Sequence, residues 1–372
     1  MTSVLISGAG VAGPALAFFL RRHGFTVTVV ERGPAIRPGG QAIDVRGVAL
    51  TVADRLGILA GLRLRRTTMK GMNMVDGSGA ELWRSTEMAL SSGRLDTDDV
   101  EVLREDLVRL VYDRTRDDVE YLFGDSVASL AQDGRGVRVA FERSAPRDFD
   151  LVVGADGLHS AVRRLAFGPE ERFVRHLGQY VAVYSMENLF GLEDWQKWFT
   201  DGPVGGVVYP VRGNAELRVT IGFESPQPIA YDYRDVEAQK RLVAEHCART
   251  GWEVPRLLEA MWRAPDFYFD SMAQVRMDAW TSGRVTLLGD AGYCASPLSG
   301  QGTSLALVGA YVLAAELAAA DDVEGGLAAY ERRMRPFAEA NQAIVEDNRR
   351  HMEQDPQAVS PVDRVKNAIE LP

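Results

Sequence analysis

Apolar residues along this chain follow two periods, and the switches between them set out its elements. Short β-branched runs bounded by turn residues predict strands at 4–6, 26–30, 119–123, 136–142, 151–153 and 285–288. Apolar residues three and four apart predict helices at 15–20, 50–62, 102–112, 236–250, 255–262 and 303–319, with another beginning at 160–164. Strand and helix alternate through the first third of the chain and again near its end, the pattern of an α/β protein with a parallel sheet. The character changes between about 173 and 279. There 180–186, 205–211 and 216–223 read as strands, Gly213-Asn214 supplies a turn, and Trp195, Trp198 and Phe199 cluster. A hairpin at 71–83 turns on Asp76-Gly77-Ser78-Gly79. A charged amphipathic helix at 325–352 follows, carrying Tyr330, Met334, Phe337 and Ile344, and the tail beyond Asp355 is expected to fray.

Proline and glycine are dense enough over 33–40 to exclude helix and strand. That loop ends in GGQAIDVRG, residues 39–47. It reads either as a mobile loop approaching a ligand, with Asp44 and Arg46 as polar contacts, or as a connector with a surface ion pair.

At 372 residues, with 46% hydrophobic and 25% charged content, the chain has room for two domains. Its formal net charge of −10 opposes the field that a phosphate backbone requires, so no nucleic-acid partner is expected. Cys247 and Cys294 are far apart and lack ligand spacing, so neither a disulfide framework nor a metal site is expected, which suits the cytoplasm. No basic segment precedes the apolar start, and no other stretch reads as a membrane span.

Candidate chemistry is concentrated in three glycine turns. Gly8, Gly10 and Gly13 form G-x-G-x-x-G between a strand and a helix, and Glu31 closes the next strand, 31 − 13 = 18 residues on. Gly8 permits the tight turn, Gly10 admits a pyrophosphate to the backbone, Gly13 lets the helix pack on the strand, and Glu31 accepts ribose hydroxyls. The second turn, Gly154-Ala155-Asp156-Gly157, runs into a helix start at Ser160. The third, Gly289-Asp290, passes Pro297, Gly300 and Gly302 into a helix uncharged until Glu316, whose first N–H groups lie open to a ligand. Arg104 is either a phosphate clamp or part of a solvated helix face. Arg218 either faces a substrate or points outward from its strand. His159 and His176 have no identifiable partner, and no catalytic side-chain triad is visible.

Together the three motifs resemble the single-component FAD-dependent aromatic hydroxylases of the para-hydroxybenzoate hydroxylase type, over nearly the whole chain. The GGQAIDVRG and PLSGQG runs look most like the tetracycline-inactivating monooxygenase branch. The resemblance implies an α/β fold with a discontinuous Rossmann-like FAD-binding domain (1–70, 96–170, 280–322), a β-sheet substrate domain (71–95, 171–279), a bracing helix (323–355) and a tail (356–372). It places Gly8, Gly10, Gly13 and Glu31 on the ADP half of FAD, with Arg32 near the adenine end and Asp44 among the cofactor contacts. Arg104 would reach the pyrophosphate or ribityl chain, Asp156 the cofactor phosphates and, in relatives, the reduced nicotinamide, and Gly289 and Asp290 the ribityl hydroxyls. Pro297, Gly300, Gly302 and Thr303 would lie beside the isoalloxazine. Tyr293, Ser304 and the Val308-Gly309-Ala310 run depart from the family's usual His, Asn and acid.

The implied activity is a monooxygenase: NAD(P)H, bound transiently, reduces the flavin, O₂ adds at C4a, and the hydroperoxide transfers one oxygen to an aromatic or polyketide-like molecule, antibiotics included. The cofactor carries the difficult step. The alternatives are a flavin oxidoreductase without oxygen insertion and a non-catalytic FAD-binding protein. A monomer or weak dimer away from membranes is expected.

Overall fold

A computed structural model describes residues 2–89, 93–354 and 360–372. The chain opens with strand β1 (Ser3–Ser7), helix α1 (Ala12–Arg22) and strand β2 (Thr26–Glu31). Strand β3 (Ala42–Val45) follows, so the GGQAIDVRG run is an ordered strand instead of a mobile loop. The expected helix at 50–62 is two, α2 (Val48–Arg55) and α3 (Leu59–Arg65), because Gly57 between them adopts φ +72°.

Strands β4 (Met72–Val75) and β5 (Glu81–Ser85) make the foreseen hairpin. Next come β6 (Val100–Leu103) and α4 (Arg104–Asp113). Val102 and Leu103, expected to be helical, finish β6 instead, since that strand pairs antiparallel with β3 in the register Asp44 to Glu101. The helix therefore starts at Arg104, which sets that side chain at a strand-to-helix corner.

After β7 (Glu120–Phe123) come β8 (Leu151–Gly154) and α5 (Ala161–Phe167). The second layer is then laid down as β9 (Val174–Glu187), β10 (Gln196–Asp201), β11 (Val204–Val211) and β12 (Glu216–Glu224). Two helices, α6 (Val236–Cys247) and α7 (Val254–Arg263), lead to β13 (Phe267–Val275). Neither β10 nor β13 was foreseen, because their aromatic and polar residues do not alternate cleanly. Strands β14 (Thr281–Ser282) and β15 (Val285–Leu287) return to the first layer, ahead of α8 (Gly302–Ala319), α9 (Val323–Gln354) and α10 (Pro361–Val365).

One sheet has the order β14-β15-β8-β1-β2-β7, parallel except at β14. Its central strands β1, β2, β8 and β15 are largely buried and read as near-continuous apolar runs. The second large sheet has the order β13-β9-β12-β11-β10-β4-β5, antiparallel except where β10 meets β4. Each packs its own apolar cluster. Helix α8 is apolar on all sides and meets the length and hydropathy of a membrane span, unlike the expectation. Its Leu305, Leu307, Val308 and Leu313 are buried, and it lies against α1 and α9.

Residues 355–359 of the tail lie outside the described residues. The remainder is docked: Lys366 Nζ reaches Asp99 at 2.9 Å, and Val48 N–H donates to the Lys366 carbonyl.

Candidate functional site

Side chains at the C-terminal ends of β1, β2, β8 and β15 converge on one cleft, the position at which parallel sheets bind ligands. Gly8 sits at φ +106°, and a Cβ there would lie 2.5 Å from the Ala155 carbonyl oxygen, so the first turn touches the second. A Cβ on Gly13 would collide with the Gly8 carbonyl. By contrast, a Cβ on Gly10 would meet only Arg104 Nη2, at 3.8 Å, so that glycine faces the open cleft. Helix α1 has no side-chain cap and no acid in its first turn, which leaves its N-terminal N–H groups to a ligand.

Glu31 fixes this turn. Its carboxylate accepts from the N–H of Ala9 and of Gly33, both at 2.8 Å. Arg32, exposed, lies over the Tyr233 ring at 5.4 Å.

Arg104 is the central cation. Its stem packs under Gly40, its backbone N–H donates to the Gln41 carbonyl, and its Nη1 is buried without a hydrogen-bond partner. Burial lowers its pKa to about 10, and Glu31 and Asp290 oppose that shift. A guanidinium buried with an empty donor costs stability unless a ligand completes it. Arg37, which the sequence did not single out, adds a second positive charge near Arg104 and lies 5.4 Å from the Tyr268 ring.

Between β15 and Ser296 only Asp290 is exposed, and Pro297 and Leu298 follow it into the open. Although Asp290 is exposed, desolvation by the groups packed around it raises its carboxyl above the usual range. Gly302 opens α8 beside it, 3.8 Å from Asp290 Oδ1 to a Cβ built there, followed by Thr303. Gly289, at φ +65°, brings this loop to within contact of Ala12 on α1 and Ala306 on α8. Pro297 begins a tight turn ended by Gly300 in a left-handed conformation. Helix α8, like α1, has no side-chain cap or first-turn acid. Gln301 is fully buried and neither end of its amide has a partner; the S-G-Q-G string carried that signal and it was missed.

Asp44 and Arg46 form a 2.8 Å ion pair with both side chains under a tenth exposed, so the surface-pair reading of this segment fails. Burial pushes the Asp44 carboxyl up to about 7. The pair borders α8, where the Arg46 N–H donates to Ser304 Oγ at 3.1 Å. A cavity of about 280 Å³ opens beside Asp44, Met69 and Glu101.

Asp156, expected at the cofactor phosphates, is engaged by groups of the protein itself. Its oxygens accept from Ser160 Oγ, the N–H groups of Ala161 and Val162, and Ser7 Oγ, so it caps α5 and ties it to β1. His159 does have partners: it bridges Glu170 (2.8 Å) and Asp270 (3.1 Å). Burial disfavours its charged form, but the bonds to those carboxylates carry its pKa up to about 10. Arg163, fully buried, donates to the carbonyls of Leu158 and Ala291 and so joins the second glycine turn to the third. His176 bonds Ser271 and the Ser225 carbonyl.

Arg218 is not an outward strand residue. It is 2% exposed, donates to Glu105 Oε1 at 3.2 Å, and leaves Nε and Nη1 without hydrogen-bond partners. Glu105 also accepts from the Gly39 N–H, so Arg218 ties the second layer to the loop that carries Arg37.

Two departures from the family pattern explain one another. The Tyr293 hydroxyl stands where a Cβ on Gly309 would be, and it accepts from Tyr330, so the aromatic at 293 requires glycine at 309.

The unpartnered nitrogen of Arg104, two uncapped helix starts and the glycine cradles fit a dinucleotide. A family model described as FAD binding domain matches residues 1–344. An uncharacterized protein of Mycobacterium tuberculosis is 52% identical over 350 residues, 94% of each chain. A flavin-dependent monooxygenase of Legionella longbeachae is 39% identical over 343 residues, 91% of this chain and 86% of the other. Among solved structures, tetracycline destructase Tet(55) is 36% identical with a TM-score of 0.87, covering 99% of this chain and 98% of its own. Tetracycline destructase Tet(51) is 35% identical with a TM-score of 0.89, covering 100% and 99%.

Proposed function

The chain belongs to the FAD binding domain family and is an FAD-dependent monooxygenase, and from that premise we propose that it inserts oxygen into a polycyclic, electron-rich molecule of the tetracycline or polyketide kind. The observation that carries the cofactor site is Arg104, buried with an unsatisfied donor near Gly10 and Asp290. FAD, reduced by NAD(P)H, supplies the oxygen chemistry when bound. In this reading the open N–H groups after Gly10 and the Arg104 guanidinium bind the pyrophosphate. Glu31 and Arg32 hold the adenosine half, and Asp290 orients the ribityl chain. Pro297, Gly300, Gly302 and Thr303 line the flavin ring with uncapped N–H groups that favour negative charge. Gly8 and Gly13 let these parts approach, Gly289 seats the third turn, and the Asp44–Arg46 pair and Asp156 hold the frame. Residues 71–95 and 171–279 form the substrate side, with Arg218 as its buried cation. The protein acts in the cytoplasm as a monomer or weak dimer.

Similarity to two tetracycline destructases over nearly the full chain supports the substrate class. The test is an absorbance scan of the purified protein followed by aerobic NADH and NADPH oxidation with tetracyclines, anthraquinones and simple phenols, read by product mass. A polycyclic product heavier by one oxygen is the expected result. Turnover confined to simple phenols would overturn the substrate class, and substrate loss without oxygen gain would overturn insertion.

A further inference from the structure

A second cavity, of about 410 Å³, lies at the junction of β9, β13 and α9. Four arginines line it, Arg172, Arg175, Arg276 and Arg335, against the carboxylates of Asp278 and Glu339. In a chain with a net charge of −10 such a concentration of cations is unusual. Among the described residues, Arg335 alone of the four is within ion-pair distance of carboxylates, those of Glu331 and Glu339. Among the described residues Arg172 and Arg175 donate to backbone carbonyls alone, and Arg276 donates to the side-chain oxygen of Gln274. Phe173 gives the cavity an apolar wall, with the Arg172 guanidinium 5.2 Å from its ring. Guanidinium forks with free donors beside an aromatic face are suited to an oxyanion carried on a flat apolar body.

A chain of hydrogen bonds connects this cavity to the flavin side. Arg276 donates to Gln274 Oε1 through Nε and Nη2 (3.1 and 2.8 Å), and Gln274 Nε2 donates to the Ala295 carbonyl at 3.2 Å. Gln342, another lining residue, donates to the carbonyls of Val275 and Cys294. Ala295 precedes Ser296, held at φ +73°, and then the Pro297 turn. An anion that draws on the Arg276 donors competes with Gln274 for them, and the loss is transmitted to the segment leading into Pro297.

We propose that this cavity is an effector site for a small organic acid, distinct from the cleft of the three glycine turns and coupled to it through Arg276, Gln274 and Ala295. Coupling of this kind is reciprocal, so flavin occupancy changes the anion's affinity by the same factor as the anion changes the flavin's.

The test uses the FAD-loaded full chain in a buffer free of phosphate and carboxylates, titrated separately with benzoate and with inorganic phosphate. Thermal midpoint and flavin absorbance are both followed. Saturable stabilisation with a shifted flavin spectrum is expected, with benzoate the tighter ligand. Arg175→Gln, an exposed position, and Arg276→Gln should each weaken it at least tenfold. Phosphate binding as tightly as benzoate would overturn the organic-acid assignment. Equal titrations of wild type and both variants, or none that saturates, would overturn the site. Binding that leaves the flavin spectrum unmoved would overturn the coupling.

Discussion

Arg104 shows what one misplaced donor is worth. Its Nη1 has no hydrogen-bond partner among the described residues, so FAD binding should satisfy a group the fold leaves incomplete. A charge-assisted hydrogen bond contributes roughly 1.5–3 kcal/mol. Arg104→Met should therefore weaken FAD about 10- to 100-fold, measured by flavin fluorescence on titration, while the apoprotein's thermal midpoint holds or rises. A variant that binds FAD as wild type does would remove Arg104 from the site. His159 makes a prediction about pH. Its folded pKa, about 10, lies above the unfolded value near 6.5. Its contribution is thus complete below about 6.5 and is lost as pH rises through about 10. His159→Gln should lower the thermal midpoint most at pH 6, and the gap to wild type should close by pH 10. A constant gap would mean that shape, not charge, is what the position supplies. The glycines were legible because they sit at strand ends, where the motif has a physical reason, whereas Arg104 read as one of two alternatives until the structure set it at a strand-to-helix corner. The partners of His159 were not legible, since Asp270 lies 111 residues away and Glu170 is brought in by the turn that follows α5.

Among elements, the parallel strands and the helices after glycine turns could be read from period alone. Strand β10 and strand β13 could not, because their pairing partners supply the regularity that their own sequences lack. Likewise β6 took Val102 and Leu103 from a helical pattern because β3 offered a partner. Helix α8 tests how far packing overrides propensity. Exchanging a helical glycine for alanine ordinarily gains up to about 1 kcal/mol. At Gly309 the new methyl would meet the Tyr293 hydroxyl and Leu288, so Gly309→Ala should instead cost about 1–3 kcal/mol. Tyr293→Phe removes the colliding oxygen. The double variant should recover part of that loss in a denaturant cycle, although the Tyr330 hydroxyl keeps only its bond to the Leu287 carbonyl. Additive single effects would show that the two positions are independent.

At the scale of the whole molecule, the expectation of a frayed tail is not met over 360–372, because that segment is anchored to residues far from it in sequence. Lys366, with its side chain 15% exposed, pairs with Asp99, and Asp99 also accepts from the Gly47 N–H at 2.9 Å. Gly47 adjoins Arg46, whose N–H is bonded to Ser304 on α8. The last helix thereby fastens the segment that borders the proposed flavin ring. Breaking a largely buried pair by removing one partner leaves an uncompensated charge and costs about 3 kcal/mol. Lys366→Met should lower stability by about that amount in urea unfolding and weaken FAD severalfold. Asp99→Asn keeps an oxygen for Gly47 while losing the charge, so adding it to Lys366→Met should restore stability toward wild type. If the double variant is instead the less stable of the two, the pair acts through the geometry of its hydrogen bonds, and the tail's hold on Gly47 depends on both side chains and not on their charge.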